Sequence, residues 1–231
     1  MIKTDPRSDA SEREAHESAD KLIEAGQPRE DQGQLDAALQ CYLEAIEAAP
    51  GYVRAHMNAG NVLGKLERWN EGLAEQRKAV ECAPDHAPAR FNLGAFLFNR
   101  GDLAGAAAEL IEASRLQPEM IEAPILLADV YEMQDRFDEA EAQYSRALAI
   151  APDHAGAMLN LGWFCVRQGR MEQALHWMQR ARRIDPELSG ADGQILFAMN
   201  FRAELDVLEI AREHMRLGSQ LSRSAGAPYT S

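Results

Sequence analysis

The chain has 231 residues, 46% of them hydrophobic but only 6% aromatic, and a formal net charge of −13. A chain of this length can bury a substantial core as one domain or one extended array, and an alanine-rich, aromatic-poor mix suits close helix packing better than a β-sandwich. The acidic balance argues against nucleic acid as a partner, since that binding needs a net basic face to release counterions, and makes a basic or neutral partner the expected one.

Residues 1–17 are polar and acidic and are expected to form a disordered or loosely helical lead, with neither the apolar core of a signal peptide nor the arginine-rich character of a transit peptide. No run of 18 apolar residues occurs anywhere, so no membrane span is expected. Cys41, Cys82 and Cys165 are odd in number and widely spaced, which suggests neither a zinc knuckle nor a disulfide framework and points to the cytoplasm.

From residue 18 the chain is periodic. Pro50, Pro84, Pro118, Pro152 and Pro186 recur every 34 residues and define gapless segments 19–52, 53–86, 87–120, 121–154 and 155–188. Counted from the start of each segment, the eighth position reads Gly26, Gly60, Gly94, Ala128 and Gly162. The twentieth reads Ala38, Gly72, Ala106, Ala140 and Ala174, and the twenty-seventh is alanine in all five segments. Small residues at these spacings let two helices approach closely. Larger residues, among them Tyr42, Leu110, Tyr144 and Met178 at the twenty-fourth position, are expected to fill the core between them.

Gly33, Gly101 and Gly169 mark the turn inside three segments, with Glu67 and Asp135 in the other two, and each proline is expected to end a second helix. In the first segment, Pro28 and the polar run after it predict a first helix that stops early, near Gly26.

These residues resemble the tetratricopeptide repeat family over about four fifths of the chain. The family's usual Trp at the fourth position is replaced by His56, Arg90, Pro124 and Met158. The resemblance implies an all-α, right-handed superhelical solenoid of about five helix-turn-helix repeats over 18–188, capping or connector helices over 189–217 and a flexible tail over 218–231. It also implies that an extended peptide binds along the inner face of the first helices. The sixth position there reads Glu24, Asn58, Asn92, Leu126 and Asn160. An asparagine amide both donates and accepts, so three of them on equivalent positions form an expected ladder for a peptide backbone. Neighbouring inward positions add Arg54, Asn61, Glu122, Asp129 and Trp163, with Arg54 a candidate partner for a ligand carboxylate.

No catalytic constellation, metal-ligand cluster or cofactor motif emerges. Glu139 and Glu141 read as a solvated helix face, the six histidines show no metal-binding spacing, and there is no glycine-rich phosphate loop.

Past Pro186, the segment Ile195–Phe201 followed by Glu213–Gly218 resembles the connector that follows the repeats of O-linked N-acetylglucosamine transferases and their bacterial relatives, with Met199, Phe201 and Met215 departing from that pattern. This resemblance covers about 25 residues. It implies a scaffold like the substrate-recruiting arm of such an enzyme, without chemistry of its own. Two alternatives stand beside it. One is the N-terminal part of an active glycosyltransferase whose nucleotide-sugar domain would lie beyond Ser231. The other is a structural subunit that self-associates through its convex face or its ends.

Overall fold

The computed structural model describes residues 6–188 and 191–200. These residues form helices only, in chain order α1 (Pro6–Asp31), α2 (Leu35–Ala48), α3 (Val53–Lys65), α4 (Trp69–Cys82), α5 (Ala87–Asn99), α6 (Leu103–Leu116), α7 (Glu122–Met133), α8 (Phe137–Ile150), α9 (Ala155–Arg167), α10 (Met171–Ile184) and α11 (Ala191–Asn200). The chain divides into two compact units, Met1–Phe137 and Asp138–Ser231. In the first, α1 packs on α2, α3 on α4 and α5 on α6, and each second helix packs on the next first helix. In the second, α9 packs on α10, and α11 lies against both.

The small residues work as the spacing implies. A side chain at the eighth position would drive into the twenty-fourth residue of the same segment: an added Cβ would lie 2.5 Å from Tyr42 Cε1 at Gly26, 2.8 Å from Leu110 Cγ at Gly94 and 2.7 Å from Met178 Cγ at Gly162. Tyr42, Leu110, Tyr144 and Met178 are all fully buried. In the second segment the interlocking residue is Gln76, equally buried and the one amide in the series.

All five turns share one geometry. The fifteenth residue is left-handed whether glycine or not: Gly33 (φ 74°), Glu67 (60°), Gly101 (79°), Asp135 (58°) and Gly169 (71°). The following N–H reaches back five residues to a carbonyl near the helix end, as in Gln34 to Arg29 (2.8 Å), Arg68 to Leu63 (2.9 Å) and Arg170 to Cys165 (2.8 Å). These bonds satisfy carbonyls that the helix end would otherwise leave open.

At the other end of each pair the proline forces its predecessor out of helical geometry, as at Ala49 (φ −141°, ψ 86°) and Ala83 (φ −142°, ψ 85°). The repeated Ala-Pro-Asp-His turn then starts the next helix. His86 Nδ1 accepts from the Ala89 N–H (3.1 Å) and His154 Nδ1 from the Ala157 N–H (2.9 Å), so both histidines are N-caps.

The fourth position ties helix pairs together through different chemistry. His56 is 4% exposed, with Nδ1 2.7 Å from Glu75 Oε2 and Nε2 2.9 Å from the Pro50 carbonyl. Arg90 makes the same two bonds one segment later, to Glu109 (2.8 Å) and to the Pro84 carbonyl (2.7 Å). Met158 fills the site with a fully buried apolar chain, and Pro124 sits buried in the first turn of α7.

The start of the chain departs from expectation. Residues 6–17, expected as a disordered or loosely helical lead, take the helical form as part of α1, and α1 continues past Gly26, the expected stop, to Asp31 with Pro28 inside it. The packing explains why. Ala19 and Ile23 are fully buried against α2, Ala15 packs at the edge of the same cluster, and the His16 ring stacks on Tyr52 at 4.9 Å. Past Pro28, Tyr42 donates to Glu30 Oε2 (2.8 Å) and Arg29 Nη1 donates to the Ala25 carbonyl. These contacts offset the bond that the proline removes. At the other end, α11 begins the expected connector, while residues 201–231, with the rest of the connector and the tail, lie outside the described residues.

Candidate peptide-binding groove

Helix α3 buries Ala55, His56, Ala59, Gly60, Val62 and Leu63, which leaves Arg54, Asn58, Asn61 and Lys65 as a stripe at helical spacing on its other face. On α5 the equivalent stripe is Asn92, Ala95 and Asn99. Between them lies a cleft of about 580 Å³, bordered by Asn61, Gly64, Lys65 and Trp69 on one side and Asn92, Ala95, Phe96 and Asn99 on the other, with Glu30 at its rim.

The cleft has an aromatic wall because the twentieth position of its segment is Gly72 rather than alanine. The Phe96 ring occupies that space, where an added Cβ would lie 2.6 Å from its Cζ. Trp69, 37% exposed, meets Phe96 edge to face at 5.7 Å. Trp69, Phe96 and Lys65 were not singled out from the sequence; the glycine at position 72, where the sister segments have alanine, is the one available signal, and it marks the space that Phe96 fills.

The charges at this face are paired. Lys65 Nζ lies 2.8 Å from Glu30 Oε1. Arg54 Nη1 lies 2.6 Å from Asp20 Oδ1, and Tyr52 donates to the same oxygen at 2.6 Å. Burial, then the Asp20 carboxylate, raises the Tyr52 hydroxyl's pKa above its ordinary value. Arg54 thus has a carboxylate partner within the chain, from the equivalent position of the preceding segment. The cleft is close to charge-neutral.

The predicted amides fall into two groups. Asn61 Oδ1 accepts from Gln76 Nε2 at 2.7 Å, so its orientation is set from within. Asn58 and Asn92 are half-buried on equivalent turns of α3 and α5 and make no side-chain hydrogen bond among the described residues. Asn61 and Asn92 share the cleft, whereas Asn58 stands outside its lining. Asp129, half-buried on α7, is engaged within the chain.

In the second unit, Asn160 occupies the sixth position of α9, half-buried. Trp163 is held by the last helix: its ring lies 5.5 Å from that of Phe197 on α11 and 5.9 Å from the Arg167 guanidinium. A smaller cleft of about 380 Å³ here is lined by Glu141, Leu161, His176 and Trp177 among others, and Arg170 pairs with Glu141 at 2.8 Å. Burial pushes the Cys165 thiol above its ordinary pKa, away from nucleophilic reactivity. Among the described residues no group of three His, Cys, Asp or Glu side chains is placed to hold a metal ion.

Family models of the tetratricopeptide repeat match residues 30–67, 76–108 and 119–187. With the helix pairs and turns described above, they make the chain a tetratricopeptide-repeat protein. It is 36% identical over 94 residues to Protein POLLENLESS 3-LIKE 2 of Arabidopsis thaliana, covering 40% of this chain and 20% of that protein. The chain thus spans about a fifth of that relative's length. Among solved structures it is similar to PilW, described as a widely conserved type IV pilus biogenesis factor, with a TM-score of 0.76 at 19% identity over 92% of this chain and 94% of that one. It is also similar to YrrB, described as a TPR protein with an unusual peptide-binding site, with a TM-score of 0.58 at 24% identity over 78% of this chain and 90% of that one. At these identities the structural likeness speaks to the fold.

Proposed function

We propose that this chain is a protein–protein interaction scaffold that takes an extended, uncharged peptide segment along the face carried by α3 and α5. The observation behind this reading is the cleft itself: a neutral space with an aromatic wall, lined by the three asparagine amides of Asn61, Asn92 and Asn99. Such amides supply the donors and acceptors that a peptide backbone repeats along its length. Asn160 offers the same chemistry on α9 of the second unit, with Trp163 one turn further along that helix, and Asp129 on α7 of the first unit is a further candidate contact. The likeness to YrrB, whose structure is described as containing a peptide-binding site, is in keeping with this reading.

A narrower form of it, in which the chain resembles the substrate-recruiting arm of an O-linked N-acetylglucosamine transferase, rests on the asparagines and on the connector-like residues from Ile195 onward. A cytoplasmic location belongs with the same reading; among the described residues no helix is long and apolar enough to cross a membrane.

The test is selection of binders from a displayed library of peptides lacking charged residues, followed by affinity measurements on variants. Asn58→Ala with Asn92→Ala should weaken the selected peptide about tenfold, the scale of one or two net hydrogen bonds. Selection of only strongly charged binders from an unrestricted library would overturn the neutral-groove reading.

A further inference from the structure

The four sister segments place Tyr42, Leu110, Tyr144 and Met178 where the second segment places Gln76. Gln76 is fully buried, and its Oε1 has no hydrogen-bond partner. An apolar residue would avoid that orphan oxygen, so the amide calls for an explanation that packing does not supply.

The bonds it does make define a direction. Gln76 Nε2 lies 3.2 Å from the Met57 carbonyl oxygen, which is an acceptor only, so the NH2 end of Gln76 must face it. The same nitrogen lies 2.7 Å from the side-chain amide of Asn61. A donor there requires an acceptor, so Asn61 turns its Oδ1 toward the core and leaves its own NH2 on the cleft side. A backbone carbonyl thus fixes Gln76, and Gln76 fixes Asn61. Asn58 and Asn92, without such a partner among the described residues, can rotate to offer either end.

We infer that Gln76 is a positioning residue that holds the Asn61 amide with its NH2 toward the cleft, making this point of the groove a reader of carbonyl oxygens on a bound peptide. The inference rests on the groove reading above and deepens it. The ladder asparagines accept a peptide in either polarity of hydrogen bonding, and Asn61 sets its register by demanding an acceptor.

The experiment uses the full chain and the strongest uncharged peptide from the library, labelled with a fluorophore. Asn61→Asp keeps an acceptor for Gln76 but removes the donor from the cleft, and should weaken binding about tenfold. Gln76→Leu copies Leu110, which sits over Gly94 as Gln76 sits over Gly60. It should weaken binding several-fold while the thermal midpoint stays level or rises, a split that a merely structural role would not give. Wild-type affinity in Asn61→Asp overturns carbonyl reading, and wild-type affinity in Gln76→Leu overturns the positioning role. If the library yields no binder, the groove reading fails, and proton exchange in the free protein still decides the orientation. The Gln76 side-chain NH2 should be protected from solvent exchange and lose protection in Asn61→Ala; equal exchange in both overturns the inference.

Discussion

The second and third segments are built on one frame and filled with different chemistry. Where α5 and α6 lock Leu110 over Gly94, α3 and α4 lock Gln76 over Gly60. Where Arg90 bridges Glu109 and the Pro84 carbonyl, His56 bridges Glu75 and the Pro50 carbonyl. Where Gly101 makes the left-handed turn without strain, Glu67 makes it with a side chain. At the first and last of these sites the third segment carries the choice that stability alone would favour. The second carries polar or strained substitutes, and it is the second that supplies Asn61, Lys65 and Trp69 to the cleft.

The largest expected effect tests the frame. Leu110→Ala leaves a cavity over Gly94 and should cost about 2–5 kcal/mol of unfolding free energy, read from urea denaturation. Gln76→Leu, at the equivalent site, should cost nothing by the same measurement.

The next effect separates histidine from arginine. Both His56 ring nitrogens face acceptors, a carboxylate and a carbonyl, so only the imidazolium satisfies both. The Glu75 bond raises the His56 pKa, burial opposes it, and the Pro50 carbonyl adds to the rise. A raised folded-state pKa gives stability that is fully present below the unfolded value of about 6.5 and lost as pH rises through the folded one. Denaturation between about pH 5.5 and 8.5 should therefore show stability falling with rising pH, by at most about 1.4 kcal/mol per pH unit from this group. His56→Arg, which copies Arg90, should flatten that slope. An unchanged slope would mean that Glu75 and the neutral ring make the bond alone.

The smallest effect concerns the turns. Glu67→Gly should raise stability by about 0.5–1 kcal/mol, because a side chain at positive φ is strained where glycine is not. Gly101→Ala should lower it by a similar amount, both seen as shifts in thermal midpoint.

Much of the fold was legible in the 34-residue period, since prolines, small residues and turn glycines act through backbone geometry that sequence spacing reports directly. The beginning was not, because α1 is held by a few alanines and Ile23 rather than by a run of large apolar residues, and because Pro28 reads as a stop when neighbouring contacts let the helix continue. The placement of the candidate residues along the helices was legible, but their partnerships were not. Register placed Asn58, Asn61 and Asn92 on one face of the first helices, yet it did not reveal that Asp20 holds Arg54 or that Gln76 holds Asn61. Both partnerships depend on side-chain reach between helices, which spacing alone does not report. The one signal available for the second was Gln76 itself, the amide at a twenty-fourth position otherwise filled by large apolar or aromatic residues.

The interlock of each glycine with the large residue sixteen places later lies wholly inside one segment. A duplicated segment would therefore carry both halves of its own lock, and a gene could gain a segment here without redesigning the interior. Bonds that cross segment borders, among them Arg54 to Asp20, Lys65 to Glu30 and His56 to the Pro50 carbonyl, are what each insertion would have to find again.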